Sequence, residues 1–186
     1  ALTQPGAIVF DPFCGSGTIL MEAALLGAQS LVGSDIANEA TADTKENLEW
    51  MRNQGMPMPP YKLYPNSAQT VSANITPGSI DAIVTETYLG RPRKGTETHR
   101  EVDDAVSYVA NLYREAFSAL APSLRSGAAV LIAAPVHTFE GKDIAFDART
   151  ILEPLGYTHS PLPYEPVIYR HDGQLVGRRM WRFIKN

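Results

Sequence analysis

The sequence predicts one α/β domain over residues 1–186: a doubly wound, mostly parallel seven-stranded sheet with helices on both faces and a C-terminal antiparallel hairpin. Three observations predict it. Short apolar runs alternate with stretches of helical period along the chain, the pattern of successive βα units. The first apolar run opens directly into a glycine turn, Gly15-Ser16-Gly17. Near the other end, Asp172-Gly173 separates two runs of strand-forming residues, a strong tight-turn signal.

Taken in order, Ala7-Ile8-Val9-Phe10 reads as a buried first strand that stops at Asp11-Pro12. Residues 18–28 carry Ile19, Ala23 and Leu26 at helical spacing, and Gly27 closes that helix. Residues 30–35 read as strand two. Residues 38–53 form a polar-faced helix with Leu48 and Met51 inward, ended by Asn53-Gln54-Gly55. Met56-Pro57-Met58-Pro59-Pro60 is a loop, because proline inside a helix removes a donor and clashes with the preceding turn. Tyr61-Lys62-Leu63-Tyr64 and Ile80-Asp81-Ala82-Ile83-Val84 read as strands three and four, with residues 86–100 a polar loop after them. Residues 101–120 are a helix: Val102, Ala105, Val106, Val109, Leu112, Tyr113, Ala116 and Leu120 keep its period. Residues 128–134 read as strand five and 143–155 as a helix stopped by Pro154 and Gly156. Val167-Ile168-Tyr169 and Leu175-Val176 make the hairpin.

Composition narrows the function. Of 186 residues, 44% are hydrophobic and 19% charged, the profile of a chain with a packed core. The one cysteine, Cys14, excludes a disulfide framework and a cysteine-built zinc site, and His99, His137, His159 and His171 are too dispersed for a ligand cluster, so no metal is expected. No run of about 18 apolar residues occurs, so no membrane span is expected. A start at Ala1, with neither initiator Met nor leader, leads us to expect an excised piece of a cytoplasmic protein. The net charge of −4 is uneven: residues 1–90 hold three Lys/Arg against nine Asp/Glu, and residues 91–186 hold 13 against 11. An acidic first half does not suit a nucleic-acid clamp, so contact with phosphates falls to the second half or to a domain outside this chain.

The glycine turn sets backbone N–H groups and a helix N-terminus at the carboxyl end of strand one, where open α/β sheets bind ligands. Leu20 stands where a dinucleotide fingerprint needs its third glycine, and the Gly-Lys-Ser/Thr of a phosphate loop is absent. Asp35, 18 residues beyond Gly17, is placed to accept hydrogen bonds from ribose hydroxyls. The pair points to an adenosine-bearing ligand with no required pyrophosphate.

These residues carry a resemblance. The string from Asp11-Pro12-Phe13-Cys14-Gly15-Ser16-Gly17-Thr18 to Ala23 resembles the first motif of class I S-adenosylmethionine-dependent methyltransferases. Within that superfamily the chain most resembles the catalytic domain of THUMP-associated tRNA guanine-N2 methyltransferases, and Tyr169-Arg170, Gly173-Gln174 and Val176-Gly177-Arg178 are similar to that family's last two strands. The resemblance implies a Rossmann-like methyltransferase fold and S-adenosyl-L-methionine as cofactor. It implies that Asp11, Phe13, Cys14, Gly15, Gly17 and Thr18 surround the methionine end, that Asp35 holds the ribose, and that Ile36 packs on the adenine. Asn66-Ser67-Ala68 stands where the family has an Asp-Ala, which gives Ser67 and Ala68 the adenine contact. Cys14 has two readings, a nucleophile as in cytosine C5 chemistry or a side chain packed beneath the turn.

Strand four runs into Thr85-Glu86-Thr87-Tyr88-Leu89-Gly90, where the family has Asp-Pro-Pro-Tyr or Asn-Pro-Pro-Tyr. An exocyclic amine conjugated with a base is a poor nucleophile, and acceptors that draw on its N–H bonds free the lone pair and stabilise the developing charge. Glu86 is the acid available, Thr87 supplies substrate contact, and Tyr88 is the ring that stacks on an extruded base. Both prolines are missing and the acid is one methylene longer. The 91–100 loop, with Arg91, Arg93, Lys94, His99 and Arg100, is a candidate phosphate contact, or else a solvated loop. Arg178 and Arg182 fall on one face of the last strand and read equally as edge charges or RNA contacts. The expected activity is methyl transfer to an exocyclic amine in RNA, guanine N2 of tRNA first, with an N-terminal RNA-binding region outside this chain. Rival readings are a DNA or protein N-methyltransferase on the same fold, and a non-catalytic cofactor- or RNA-binding subunit.

Overall fold

The computed structural model describes residues 6–186. Its sheet grows from β1 (Ile8–Asp11), whose side chains alternate between two apolar layers. Val9 packs under α1 (Thr18–Leu25) and α2 (Asn38–Asn53), beside Leu20, Leu48 and Met51. Phe10 faces the other layer, under α3 (His99–Leu120), with Val109, Tyr113 and Phe117. β2 (Ser30–Ser34) repeats the division, sending Leu31 to the first layer and Val32 to the second. A strand buried on both faces reads as a continuous apolar run, which is how β1 was recognisable.

The parallel core runs β3 (Tyr61–Tyr64), β2, β1, β4 (Ile80–Glu86), β5 (Leu124–Phe139). β9 (Val176–Lys185) then joins β5 antiparallel, and β7 (Tyr157–His159) joins β9. The path has the predicted number of strands but not the predicted members: β7 was not expected, and the strand expected at residues 167–169 lies off it. Two short strands lie beside it, β6 (Lys142–Ile144) on β5 and β8 (Val167–Tyr169) on β9, giving a nine-stranded sheet. Chain order reverses between β1 and β4, so a crevice opens at their carboxyl ends, the place where such sheets bind ligands.

Several boundaries differ from the sequence reading. The buried face of α1 is Leu20, Ala23 and Ala24, whereas Leu26, expected inside, is 62% exposed. Leu20 sets the phase by lying on Gly33, where a Cβ would come within 2.8 Å of its Cδ1. α3 starts at His99 instead of residue 101, because Thr98 and Glu101 form a capping box that satisfies its first N–H groups. The helix expected over 143–155 is reduced to α4 (Arg149–Leu152) and a 3-10 turn at Glu153–Leu155. Glu140 and Gly141, both at positive φ (48° and 75°), make a two-residue hairpin turn that returns residues 142–144 along β5. Asp147 then accepts the Arg149 N–H (3.0 Å), so α4 starts late. The edge reading of Arg178 and Arg182 is also corrected, since β9 lies between β5 on one side and β7 with β8 on the other.

Candidate active site

The turn after β1 is wired into the strand ends around it. The Cys14 N–H donates to Ser34 O (2.9 Å) and the Gly17 N–H to Cys14 O (2.7 Å). From α2, the Thr44 hydroxyl donates to Gly15 O (2.7 Å) and the Asn47 amide to Ser16 O (2.9 Å). Gly17 has φ +87°, and a Cβ there would strike Thr44 Cγ2 at 2.8 Å, so only glycine fits. A Cβ at Gly15 would project into open space, which leaves its backbone approachable. Cys14 is buried under the turn, within 3.6 Å of the Thr44 hydroxyl, and burial pushes its thiol up to about 11. A thiol so disfavoured as thiolate suits the packing reading over the nucleophile.

Asp11 and Asp35 flank this turn in different environments. Asp11 is buried, and its Oδ1 accepts from the Thr85 hydroxyl (2.6 Å) and the Phe13 N–H (3.1 Å). Burial dominates those bonds and raises its carboxyl to about 7. Asp35 accepts from the Gly15 N–H at one oxygen (3.0 Å) and the Ala37 N–H at the other (3.0 Å). Each of its oxygens therefore keeps a lone pair for a further donor.

A crevice of about 490 Å³ begins at this turn. Pro12, Phe13, Asp35, Ile36, Ser67 and Ala68 line one side, and Glu86, Thr87, Tyr88 and Leu89 the other. Ile36 is 79% exposed, an apolar side chain standing at the crevice with no core to enter. Gln69, Tyr108 and Leu112 also line it, and sequence reasoning missed all three as site residues. Leu112 had been counted with the core stripe of α3. Tyr108 was identifiable only as an exposed aromatic one helical turn before it. Of the expected cofactor residues, Asp11, Cys14, Gly15, Gly17 and Thr18 are not among the lining residues, and Thr18 opens α1 on its exposed side.

On the acceptor side, Glu86 ends β4 with its side chain 44% exposed. Arg178 of β9 grips it side-on: Nε donates to Oε2 (3.1 Å) and Nη2 to Oε1 (3.3 Å). Thr87 turns inward, its hydroxyl hydrogen-bonded to that of buried Tyr113, so its side chain serves packing and not substrate. Tyr88 meets Tyr108 edge-on, with ring centroids 6.2 Å apart. Beyond this aromatic pair lies a second hollow of about 720 Å³, under Arg91, Lys94, Thr96, Glu101 and Val102.

The loop from β4 to α3 is held by Arg93, which the sequence reading had assigned to RNA. Its side chain is only 7% exposed; Nη1 donates to Thr138 O (2.5 Å) and Nε to Glu97 (3.4 Å). Glu97 also accepts the N–H groups of Lys94 (2.6 Å) and Gly95 (3.0 Å), which hold its carboxyl below the usual range. With its donors directed inward, Arg93 ties the loop to β5. Arg91 and Lys94 are the loop's outward-facing cations.

Among the described residues no cluster of His, Cys, Asp and Glu could hold a metal, and no helix is long and apolar enough to cross a membrane. The sheet order, the glycine turn and the acid after β2 define the class of S-adenosylmethionine-dependent methyltransferases. The chain belongs to the family described as RMKL-like, methyltransferase domain, whose model matches residues 1–142, and S-adenosyl-L-methionine is its cofactor. It is similar to a tRNA (guanine(10)-N2)-dimethyltransferase of Methanothermobacter thermautotrophicus, 30% identical over 132 residues, 71% of this chain and 34% of that protein. An enzyme of the same description from Methanocaldococcus jannaschii is 49% identical over 49 residues, 26% of this chain and 14% of that protein. This chain thus spans about a third or less of the curated relatives it matches. In fold it is similar to TrmN from Thermus thermophilus (TM-score 0.63, 19% identity, 98% of this chain and 45% of that one). It is likewise similar to a SAM-dependent methyltransferase from Methanosarcina mazei (TM-score 0.68, 15% identity, 99% and 94%). The residues present fit the cofactor: a carboxylate with free lone pairs and an exposed apolar side chain line one crevice, and the glycine turn whose Gly15 N–H donates to that carboxylate has an approachable backbone.

Proposed function

We propose that this domain methylates the exocyclic amine of a base in RNA, guanine N2 of tRNA foremost, within a cytoplasmic protein whose RNA-binding region lies outside these 186 residues. One observation carries the reading: a single crevice joins Asp35 and Ile36 to Glu86 and Tyr88, so a cofactor half and an acceptor half share one space. Bound S-adenosyl-L-methionine supplies a sulfonium methyl group, electrophilic enough for direct displacement without a covalent enzyme intermediate. In that reading Asp11 and the turn at Gly15 and Gly17 hold its methionine end, Asp35 its ribose, and Ile36, Ser67 and Ala68 its adenine. Glu86 accepts an N–H of the target amine, which localises the nitrogen lone pair and balances the positive charge that grows on it. Thr87 contributes its backbone carbonyl as a second acceptor, and Tyr88 offers a ring face to the extruded base. Positioning supplies much of the rate, since the two reactants meet in one bound geometry. The guanine-N2 enzymes among the relatives support this substrate.

The test is Glu86→Ala. Methyl transfer from labelled cofactor to an RNA pool is expected to fall at least about 100-fold, the scale of a removed electrostatic stabiliser, with cofactor affinity by calorimetry unchanged. Equal loss of both would remove Glu86 from the acceptor role. Wild-type protein that binds cofactor and methylates DNA or protein, or nothing, would replace the RNA reading.

A further inference from the structure

Arg178 and Glu86 are 92 positions apart in sequence and joined by two charge-assisted hydrogen bonds. We propose that Arg178 determines specificity for the acceptor base: it fixes the Glu86 carboxylate and presents its own free N–H groups to an oxo oxygen on the same purine edge. The inference rests on the RNA reading above and adds to it the residue that reads the base.

A guanidinium has five N–H bonds, and a carboxylate has about four acceptor sites. Arg178 spends one N–H each from Nε and Nη2 on Glu86, and one from Nη1 on the Gln174 side-chain oxygen (3.3 Å). One N–H on Nη2 and one on Nη1 remain. Glu86 gives up two sites and keeps two. Glu86 lines the crevice, and Arg178, which is not itself a lining residue, stands hydrogen-bonded beside it, so free acceptors and free donors are neighbours at that rim. The edge of guanine presents the complement: an amine and a ring N–H, both donors, next to an oxo acceptor. The two donors suit a carboxylate and the oxo group suits the guanidinium beside it.

Rigidity supports the role. Arg178 is 23% exposed and sits inside the sheet, paired to Pro135 of β5 and Tyr169 of β8. Gly177 allows this approach, because a Cβ there would come within 2.9 Å of Arg170 Nε and 3.1 Å of Tyr169 O. A planar fork held by two strands and Gln174 loses little freedom when it takes one more acceptor.

The experiment compares two RNAs: one that the wild-type protein methylates, and the same RNA with 2-aminopurine at the methylated guanosine. 2-Aminopurine keeps the amine and lacks both the oxo oxygen and the ring N–H. Wild-type kcat/KM is expected to favour guanosine by about 10- to 100-fold, the scale of a lost hydrogen bond to a charged group. In Arg178→Gln that preference is expected to shrink to the part that Glu86 draws from the ring N–H, and in Arg178→Lys to fall in between. Cofactor affinity by calorimetry, unchanged in all three proteins, checks that the variants fold. A preference that survives unchanged in Arg178→Gln, with both RNAs slowed alike, overturns the role of Arg178 and leaves the RNA reading standing. Wild-type protein that methylates no RNA overturns that reading and this inference together.

Discussion

Asp11 is the residue with the largest electrostatic consequence. Unfolded, its carboxyl loses a proton near 3.8; folded, burial holds that proton to about 7. Between those values the folded state binds more protons than the unfolded one, so stability from this group falls as pH rises and levels off above 7. Fully expressed, the difference is on the order of 4 kcal/mol in the cofactor-free protein. Asp11→Asn keeps an oxygen for Thr85 and Phe13 and removes the titration. Its melting temperature is therefore expected to gain on wild type steadily from pH 4 to pH 7, read by calorimetric melting across that range; parallel curves would show an Asp11 that titrates normally. If Asp11 meets the α-ammonium of the cofactor, binding below pH 7 must expel the same proton. Wild-type affinity is then expected to rise by up to about tenfold per pH unit toward 7, and the Asn variant to show no such slope.

At the scale of elements, the loop between β4 and α3 divides its cations by direction. Arg93 is pinned to Thr138 and Glu97, and Arg91 points out. A phosphate contact carries a salt signature and a structural tie does not. Arg91→Ala is expected to lower the slope of log affinity against log salt by about one. Arg93→Ala is expected to leave that slope alone while lowering turnover, because the loop carrying Tyr88 loses its anchor. RNA titrations at several salt concentrations decide it, and a reduced slope for Arg93→Ala would return that side chain to the interface. Sequence spacing alone gave both arginines the same role, since nothing local reveals which way each points. What was legible was local: the run ending at Asp11, the glycines beside it, Asp35 at the next strand end, and the period of α3. What escaped was set by distant partners or by an unusual turn. Arg178 finds Glu86 only through β9 pairing with β5, Thr87 turns inward because Tyr113 receives it, and β6 exists because Glu140, not the customary Asn or Asp, adopts a positive φ before Gly141.

For the whole molecule, charge and topology agree on where RNA should run and on how weakly this domain should hold it. Glu39, Asp43, Glu46 and Glu49 on α2 belong to the acidic first half, while Arg91 and Lys94 line the hollow beyond Tyr88. A polyanion entering the acceptor half meets cations on one flank and repulsion on the other, which orients it without gripping it. Arg93, Arg100, Arg125, Arg149, Arg170 and Arg178, six of the 13 cations in the second half, are engaged in ion pairs, which reduces the number that can neutralise phosphates. Few neutralised phosphates mean few released counterions, hence low affinity and a shallow salt slope. The 186-residue chain alone is expected to bind tRNA no more tightly than the roughly 10⁻⁴–10⁻⁶ M of non-specific contacts. An RNA-binding region linked in cis would raise affinity through effective concentration, with no new contact in the catalytic crevice. Fluorescence anisotropy with labelled tRNA at about 50 and 200 mM salt tests this directly, over the range where many phosphate contacts would cost about 10³-fold or more. Nanomolar binding that collapses across it would mean that this domain carries its own RNA clamp, on a face other than the crevice.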